Sequence, residues 1–349
     1  MSTFSDPNSF TQPLYEQLKR HPKRIVFPEG ADLRILRVAE RFVSMGLGVP
    51  VLLGNREEIM GMAEAEGVSM EFVRVIDPVK SSDFELFCQR FDRIERYRGL
   101  EGVDVEEVIA KPHYFAAMMV QYGQADAYLG GNLMDPLGVY RPLLHLIKPD
   151  PKVPKVFAVT VMTSDTLANF GRDGVLFLSD TGLIPEPTVD DLATIAAETG
   201  QLAHHHLGRR VRVALLSHTN EGRSRNESSM RVQAAAASAK NMVSFDEVEI
   251  DGGLQLDVAL VPEVAEIKVP HMAAKDRADV LVFPSLDSAH ISLKLLRHLG
   301  GANAYGRIIR GLTRPAGQVP RTATEEMILG TAAALGVEAI QYRLLYPEG

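Results

Sequence analysis

Three stretches of the chain carry side chains that could do chemistry. The first is Ser217-His218-Thr219-Asn220-Glu221-Gly222-Arg223-Ser224, and the second is Ser285-Leu286-Asp287-Ser288-Ala289-His290. The third places Arg307, Arg310, Arg314 and Arg321 within 15 residues. Guanidinium groups match oxyanions bidentately, and hydroxyls and amides add neutral donors, so the set suits a small anionic ligand. Arg321 stands just before a stretch of helical spacing, where free backbone N–H groups could share an anion with it. A solvated basic face has the same composition, and spacing alone does not separate the two readings. His218 and His290 offer ring nitrogens that titrate near neutrality, either as bases or as ordinary loop residues. No G-x-x-x-x-G-K-[ST] loop and no G-x-G-x-x-G turn lies between a strand and a helix, which disfavours a P-loop kinase and a simple dinucleotide dehydrogenase.

These loops need a scaffold. Short apolar runs read as strands at 24–27, 49–54, 125–131, 155–162, 174–180, 210–217 and 278–285. Apolar residues at three-and-four spacing read as helices at 33–46, 56–67, 112–123, 188–208, 227–240, 289–301 and 322–336. Thr188 with two acids behind it is a helix start, and Thr322 with Glu325 has the spacing of a capping box. Continuous apolar strands alternating with helices predict parallel sheets covered on both faces. The fold class is therefore α/β, with two open doubly wound parallel-sheet domains of three layers, α/β/α. In such folds ligands sit at the carboxyl ends of strands, where the polar loops fall. The proline-rich stretch 148–155 is the best linker candidate.

Bulk properties exclude several classes. The chain has 349 residues, which suggests about two domains, and a net charge of -8, which argues against general nucleic-acid binding. The single cysteine, Cys88, rules out an internal disulfide and a cysteine zinc site; in DFELFCQRF it reads as a packed core residue. His204-His205-His206 precede Gly208 and read as the end of a helix rather than a metal site, and no metal is expected. The N-terminus lacks the apolar stretch of a secretory signal, and no run approaches the ~20 residues of a membrane span. The expectation is a cytoplasmic protein that meets neither membrane nor nucleic acid.

Longer motifs carry a family resemblance. RIVFPEGADLRILRVAE, ADAYLGG…YRPLLHLIK, FLSDTGLIPEPTVDDLATIA, IDGGLQLDVALVPEVAEIKVP and the segment from VLVFPSLDSAH to GQVPR follow one another in the order seen in phosphate acetyl/butyryltransferases. The resemblance covers about residues 14 to 345. LLSHTNEG also resembles the phosphotransacetylase-like domain of hybrid malic enzymes. The resemblance implies transfer of an acetyl or other short acyl group between coenzyme A and inorganic phosphate, in a cytoplasmic homodimer of acetate metabolism. It implies no covalently bound cofactor; coenzyme A, acetyl-CoA, phosphate and acyl phosphate are substrates or ligands. It further implies two domains, 1–151 with 307–349 and an inserted 152–306, with the active site in the cleft between them.

Matching the family motifs position by position keeps the family arginine as Arg321; Glu326, next to the position of the family aspartate, and His290, on the family's Gly-Asn pair, are the further catalytic candidates. Arg98, Arg141, Ser217, Thr219, Asn220, Asp287, His298, Arg307, Arg310 and Thr322 are assigned to substrate binding. The match is broken at two places. The family serine falls on Pro320, and the family aspartate that takes the thiol proton falls on Met327. Proline offers neither hydroxyl nor N–H, and methionine accepts no proton. Thr322 or Thr324 could stand in for the serine, and Glu326, His290 or His218 for the base. Two alternatives stay open: a catalytically weak or inactive acyl-CoA-binding sensor, and a different acid-anhydride chemistry using Arg307 and Arg310.

Overall fold

The structure is a computed structural model that describes residues 4, 6–97, 102–221, 226–271 and 276–345. The chain forms two compact units. Unit 1 is Met1–Asp6, Pro13–Pro149 and Leu312–Gly349; unit 2 is Pro7–Gln12 and Asp150–Gly311.

Up to residue 149 the elements are α1 (Thr11–Arg20), β1 (Lys23–Phe27), α2 (Leu33–Ser44), β2 (Gly48–Leu53), α3 (Arg56–Glu66) and β3 (Arg74–Ile76). There follow α4 (Phe84–Tyr97), α5 (Val105–Ile109), α6 (Pro112–Gln121), β4 (Ala127–Gly130) and α7 (Pro136–Leu146). Residues 150–311 form β5 (Phe157–Thr163), β6 (Val175–Ser179), α8 (Val189–Leu207), β7 (Val211–Leu216), α9 (Glu227–Ala239) and β8 (Val248–Leu254). They continue with α10 (Leu256–Leu260), α11 (Pro262–Lys268), β9 (Val280–Val282), α12 (Leu286–His298) and β10 (Asn303–Arg310). The chain ends with β11 (Ala316–Gln318) and α13 (Glu325–Leu345).

In unit 1 the strand order is β3-β2-β1-β4-β11, and the pairs are parallel. Ile25, Val26 and Phe27 of β1 are fully buried, as a central strand covered on both faces requires. Helix α13 is apolar around its circumference and is buried without interruption from Met327 to Ala339. Its first turn holds Glu325, only 8% exposed, whose charge is met by Arg37 at 3.2 Å. Gly48 has φ +150, and a Cβ there would lie 1.9 Å from the Lys23 carbonyl, so β2 can begin beside β1 only with glycine.

In unit 2 the order is β10-β5-β6-β9-β7-β8. Strands β6, β9, β7 and β8 are parallel, but β5 runs antiparallel to both β6 and β10. The all-parallel expectation fails at β5 for a simple reason. A strand buried on both faces has the same continuous apolar composition in either direction. The direction is set by the connection: residues 164–174 between β5 and β6 hold turns at Gly171 and Gly174 instead of a crossover helix.

Two helix starts also differ from the sequence reading. Helix α12 begins at Leu286 rather than 289, because Ser285 and Ser288 form a reciprocal capping box. Helix α13 begins at Glu325, not Thr322. The N–H of Ala323 donates to the Pro320 carbonyl at 2.8 Å, a turn that keeps Thr322 outside the helix. Thr324 takes the capping role, its Oγ1 accepting the Met327 N–H at 3.3 Å.

Candidate active site

In unit 1 the loops after β1, β4 and β11 are tied together by one guanidinium. Arg34 sits in the first turn of α2, where Asp32 caps the helix. Its Nε and Nη2 donate to the two Asp32 carboxylate oxygens at 3.1 and 2.6 Å. Its Nη1 donates to the carbonyls of Arg321 and Ala323, each at 2.9 Å, and its Nη2 to the carbonyl of Asn132 at 2.9 Å. All five N–H groups are engaged. Asp32 also accepts from Asn132 Nδ2 at 2.9 Å. Burial pushes the Asp32 carboxyl up, but Arg34 and Asn132 outweigh it and hold it below the usual value.

The backbone of Arg321 is thus fixed while its side chain is exposed. Thr322 is exposed beside it, and Pro320 is half-buried. Glu326 is half-buried in the first turn of α13, whereas Met327 points inward and is 5% exposed. Arg141 is exposed on α7, whose first turn is capped by Asp135. Arg98 lies outside the described residues.

In unit 2 the loops after β7 and β8 are stitched by Gln255. Its N–H donates to Asn220 Oδ1 at 2.8 Å, its Oε1 accepts from Asn220 Nδ2 at 3.0 Å, and its Nε2 donates to the His218 carbonyl at 2.9 Å. Ser217 and Thr219 share the Ser229 hydroxyl, at 3.1 and 3.4 Å. His218 is exposed, with Nε2 3.1 Å from Asn226 Nδ2. Asp287 is exposed in the first turn of α12 and His298 is exposed in its last.

His290 and Arg307 meet: Arg307 Nη2 donates to His290 Nε2 at 3.0 Å. That contact requires Nε2 to be the acceptor, so the imidazole is neutral. Burial lowers the His290 pKa, Arg307 and Lys294 lower it further, and Asp287 opposes them. A lone pair already shared with a cation is a poor proton acceptor, which counts against His290 as the base. Arg310 pairs with Glu198 of α8 at 3.1 Å, and Arg314 lies over the Tyr342 ring at 4.4 Å. Arg307 and Arg310 belong to unit 2, Arg314 and Arg321 to unit 1. His204 Nδ1 donates to the Arg209 carbonyl at 2.8 Å, at the end of α8.

Arg34, Glu29, His113 and Gln255 were not singled out in the sequence. Glu29 and Arg34 lie inside the PEGADLR segment and Gln255 inside DGGLQ, so the motifs marked the place but not the task. In FLSDTGLIPEPT the acid serves the backbone: Asp180 accepts the N–H groups of Ala158, Gly182, Leu183 and Ile184.

A sequence profile of the phosphate acetyl/butaryl transferase family matches residues 9–335. The chain belongs to this family. It is 35% identical over 331 residues to a phosphate acetyltransferase of Thermoanaerobacterium thermosaccharolyticum, covering 95% of this chain and 99% of that one. Among solved structures, a phosphotransacetylase from Streptococcus pyogenes superposes with a TM-score of 0.83 at 28% identity, covering 95% of this chain and 99% of that one. The EutD phosphotransacetylase from Staphylococcus aureus gives 0.82 at 27% identity, covering 94% and 99%. Within this family, the chain carries proline at 320 and methionine at 327, and Arg321 is held by its own backbone carbonyl.

Proposed function

We propose that the protein transfers a short acyl group, acetyl first among them, between coenzyme A and inorganic phosphate. Family membership over residues 9–335 carries the reading, and the fixed, outward-facing Arg321 beside Thr322 supports it. The coenzyme A thiolate attacks the acyl carbon of acyl phosphate, the C–O bond to phosphate breaks, and inorganic phosphate leaves with its electron pair. Arg321 and Arg141 stabilise the phosphate charge, and Thr322 supplies the hydroxyl that Pro320 lacks. Glu326 is the candidate for taking the thiol proton. The remaining binding assignments, Arg98, Ser217, Thr219, Asn220, Asp287, His298, Arg307 and Arg310, are proposed with them. Coenzyme A is a substrate, no metal takes part, and the working form is a cytoplasmic homodimer.

A second reading, an acyl-CoA-binding protein with little turnover, is favoured by the inward-facing Met327, which puts no base where the family places one. Acetyl phosphate and coenzyme A are mixed with the protein and thioester formation is followed, with a calorimetric titration of acetyl-CoA alongside. Thioester formation above the uncatalysed rate supports transfer. Tight binding without turnover selects the second reading, and neither result would sink both. Pro320→Ser is the cleaner gain-of-rate variant, since a carboxylate at 327 would be buried.

A further inference from the structure

Glu29 and His113 form a buried device without a task in the reading above. Glu29 follows β1, and its carboxylate takes the N–H groups of four successive residues. Gly131 and Asn132 donate to Oε2 at 2.7 and 2.9 Å, and Leu133 and Met134 donate to Oε1. Gly131 has φ +102, and a Cβ there would lie 2.5 Å from the Val319 carbonyl, so glycine lets the chain wrap the carboxylate. Burial pushes the Glu29 carboxyl up, yet His113 and the backbone donors outweigh it and keep it ionised.

His113, on α6, is 6% exposed. Its Nε2 lies 3.5 Å from Glu29 Oε1, and its Nδ1 lies 2.6 Å from the Tyr128 hydroxyl on β4. Tyr128 is fully buried and its pKa is pushed well above the usual phenol value, so it keeps its proton. With the Tyr128 O–H donating to Nδ1, the His113 proton sits on Nε2 and faces the Glu29 carboxylate. The loop so held runs through Asp135 into α7, which carries Arg141. The Asn132 carbonyl in the same loop is held by Arg34, which also holds the Arg321 backbone.

We propose that Glu29 is a positioning residue for ligand binding: its carboxylate sets residues 131–134 and thereby the entry of α7 with Arg141, and His113, held by Tyr128, aims that carboxylate. The proposal rests on the reading of Arg141 as a ligand-binding arginine. Glu29→Gln keeps the size but turns one oxygen into a donor, which must face two of the four N–H groups. Amide exchange at 131–134 should rise at least about tenfold in the variant. KM for acetyl phosphate and coenzyme A, or the coenzyme A dissociation constant where turnover is absent, should rise about tenfold or more, with kcat within roughly threefold. Glu29→Asp should recover part of both losses. His113→Phe, which leaves the carboxylate in place, should give the same pattern at smaller size and keeps the test open should Glu29→Gln fail to fold. Unchanged exchange at 131–134 in the folded variants overturns the proposal. So does faster exchange with unchanged KM and coenzyme A affinity, which would make the device a staple with no bearing on binding. A wild-type protein that neither turns over nor binds coenzyme A or phosphate removes the functional reading first, and the proposal with it; that control separates the two failures.

Discussion

Arg34 shows how one side chain can tie three loops together. A lysine in its place keeps the charge but has three donors and no planar fork. Three donors cannot serve five acceptors, so Arg34→Lys should leave at least two of them without the donor they now have, and cost about 2–3 kcal/mol of stability. A urea titration checks this, and a midpoint equal to wild type would refute the staple. His290 carries a pH signature with a definite sign. Its folded pKa lies below the ordinary 6.5, so just below that pH the unfolded chain binds more protons than the folded one. This contribution to stability is complete above pH 6.5, falls as pH drops toward the folded value, and is then constant. His290→Gln should therefore show a shallower loss of denaturant midpoint on acidification below pH 6.5 than wild type does. Equal slopes would show that the Arg307 contact does not hold the ring neutral. Arg34 and Glu29 escaped notice in the sequence because their partners are remote: Arg34 meets a carbonyl 287 residues away, and Glu29 an amide 102 residues away.

Element boundaries follow capping chemistry, and element packing follows side-chain size. Glycine at 252 in β8 lets α9 come close: a Cβ there would lie 2.2 Å from the Ala236 Cβ. Gly252→Ala should cost about 1–3 kcal/mol, since a packed interface cannot absorb a methyl without shifting the helix. Thermal melting tests it, and an unchanged Tm would mean that α9 rides higher on the sheet than described. Helices α12 and α13 start a few residues away from where periodicity places them, because several serines and threonines compete to cap the same helix. Choosing among them depends on the preceding turn, as at Pro320–Ala323, and not on propensity. Strands β10 and β11 and helix α7 were not assigned from periodicity. A three-residue strand such as β11, a strand broken by Gly306 and a bulge such as β10, and a helix with Pro142 inside it carry weak local signals.

For the whole molecule, the reading of a coenzyme A-dependent, metal-free transferase has a direct consequence. Coenzyme A at about one hundred times its dissociation constant should stabilise the folded chain by about 2.7 kcal/mol, a rise in Tm of a few degrees. Chelator treatment should change neither Tm nor activity. A Tm that ignores coenzyme A, or one that collapses with chelator, would refute this picture.

Fold class and family membership were legible in the chain alone, because alternating apolar runs and long ordered motifs are local properties that survive without knowledge of contacts. The same holds for Arg321 and Arg141 as candidates, since the motifs carry them. The direction of β5, the inward turn of Met327, the engagement of His290 by Arg307, and the work of Arg34, Glu29 and His113 were not legible. Each depends on which remote atoms arrive within about 3 Å, a distance at which hydrogen bonds and ion pairs act. Sequence spacing says nothing of that distance until the sheets and helices have packed.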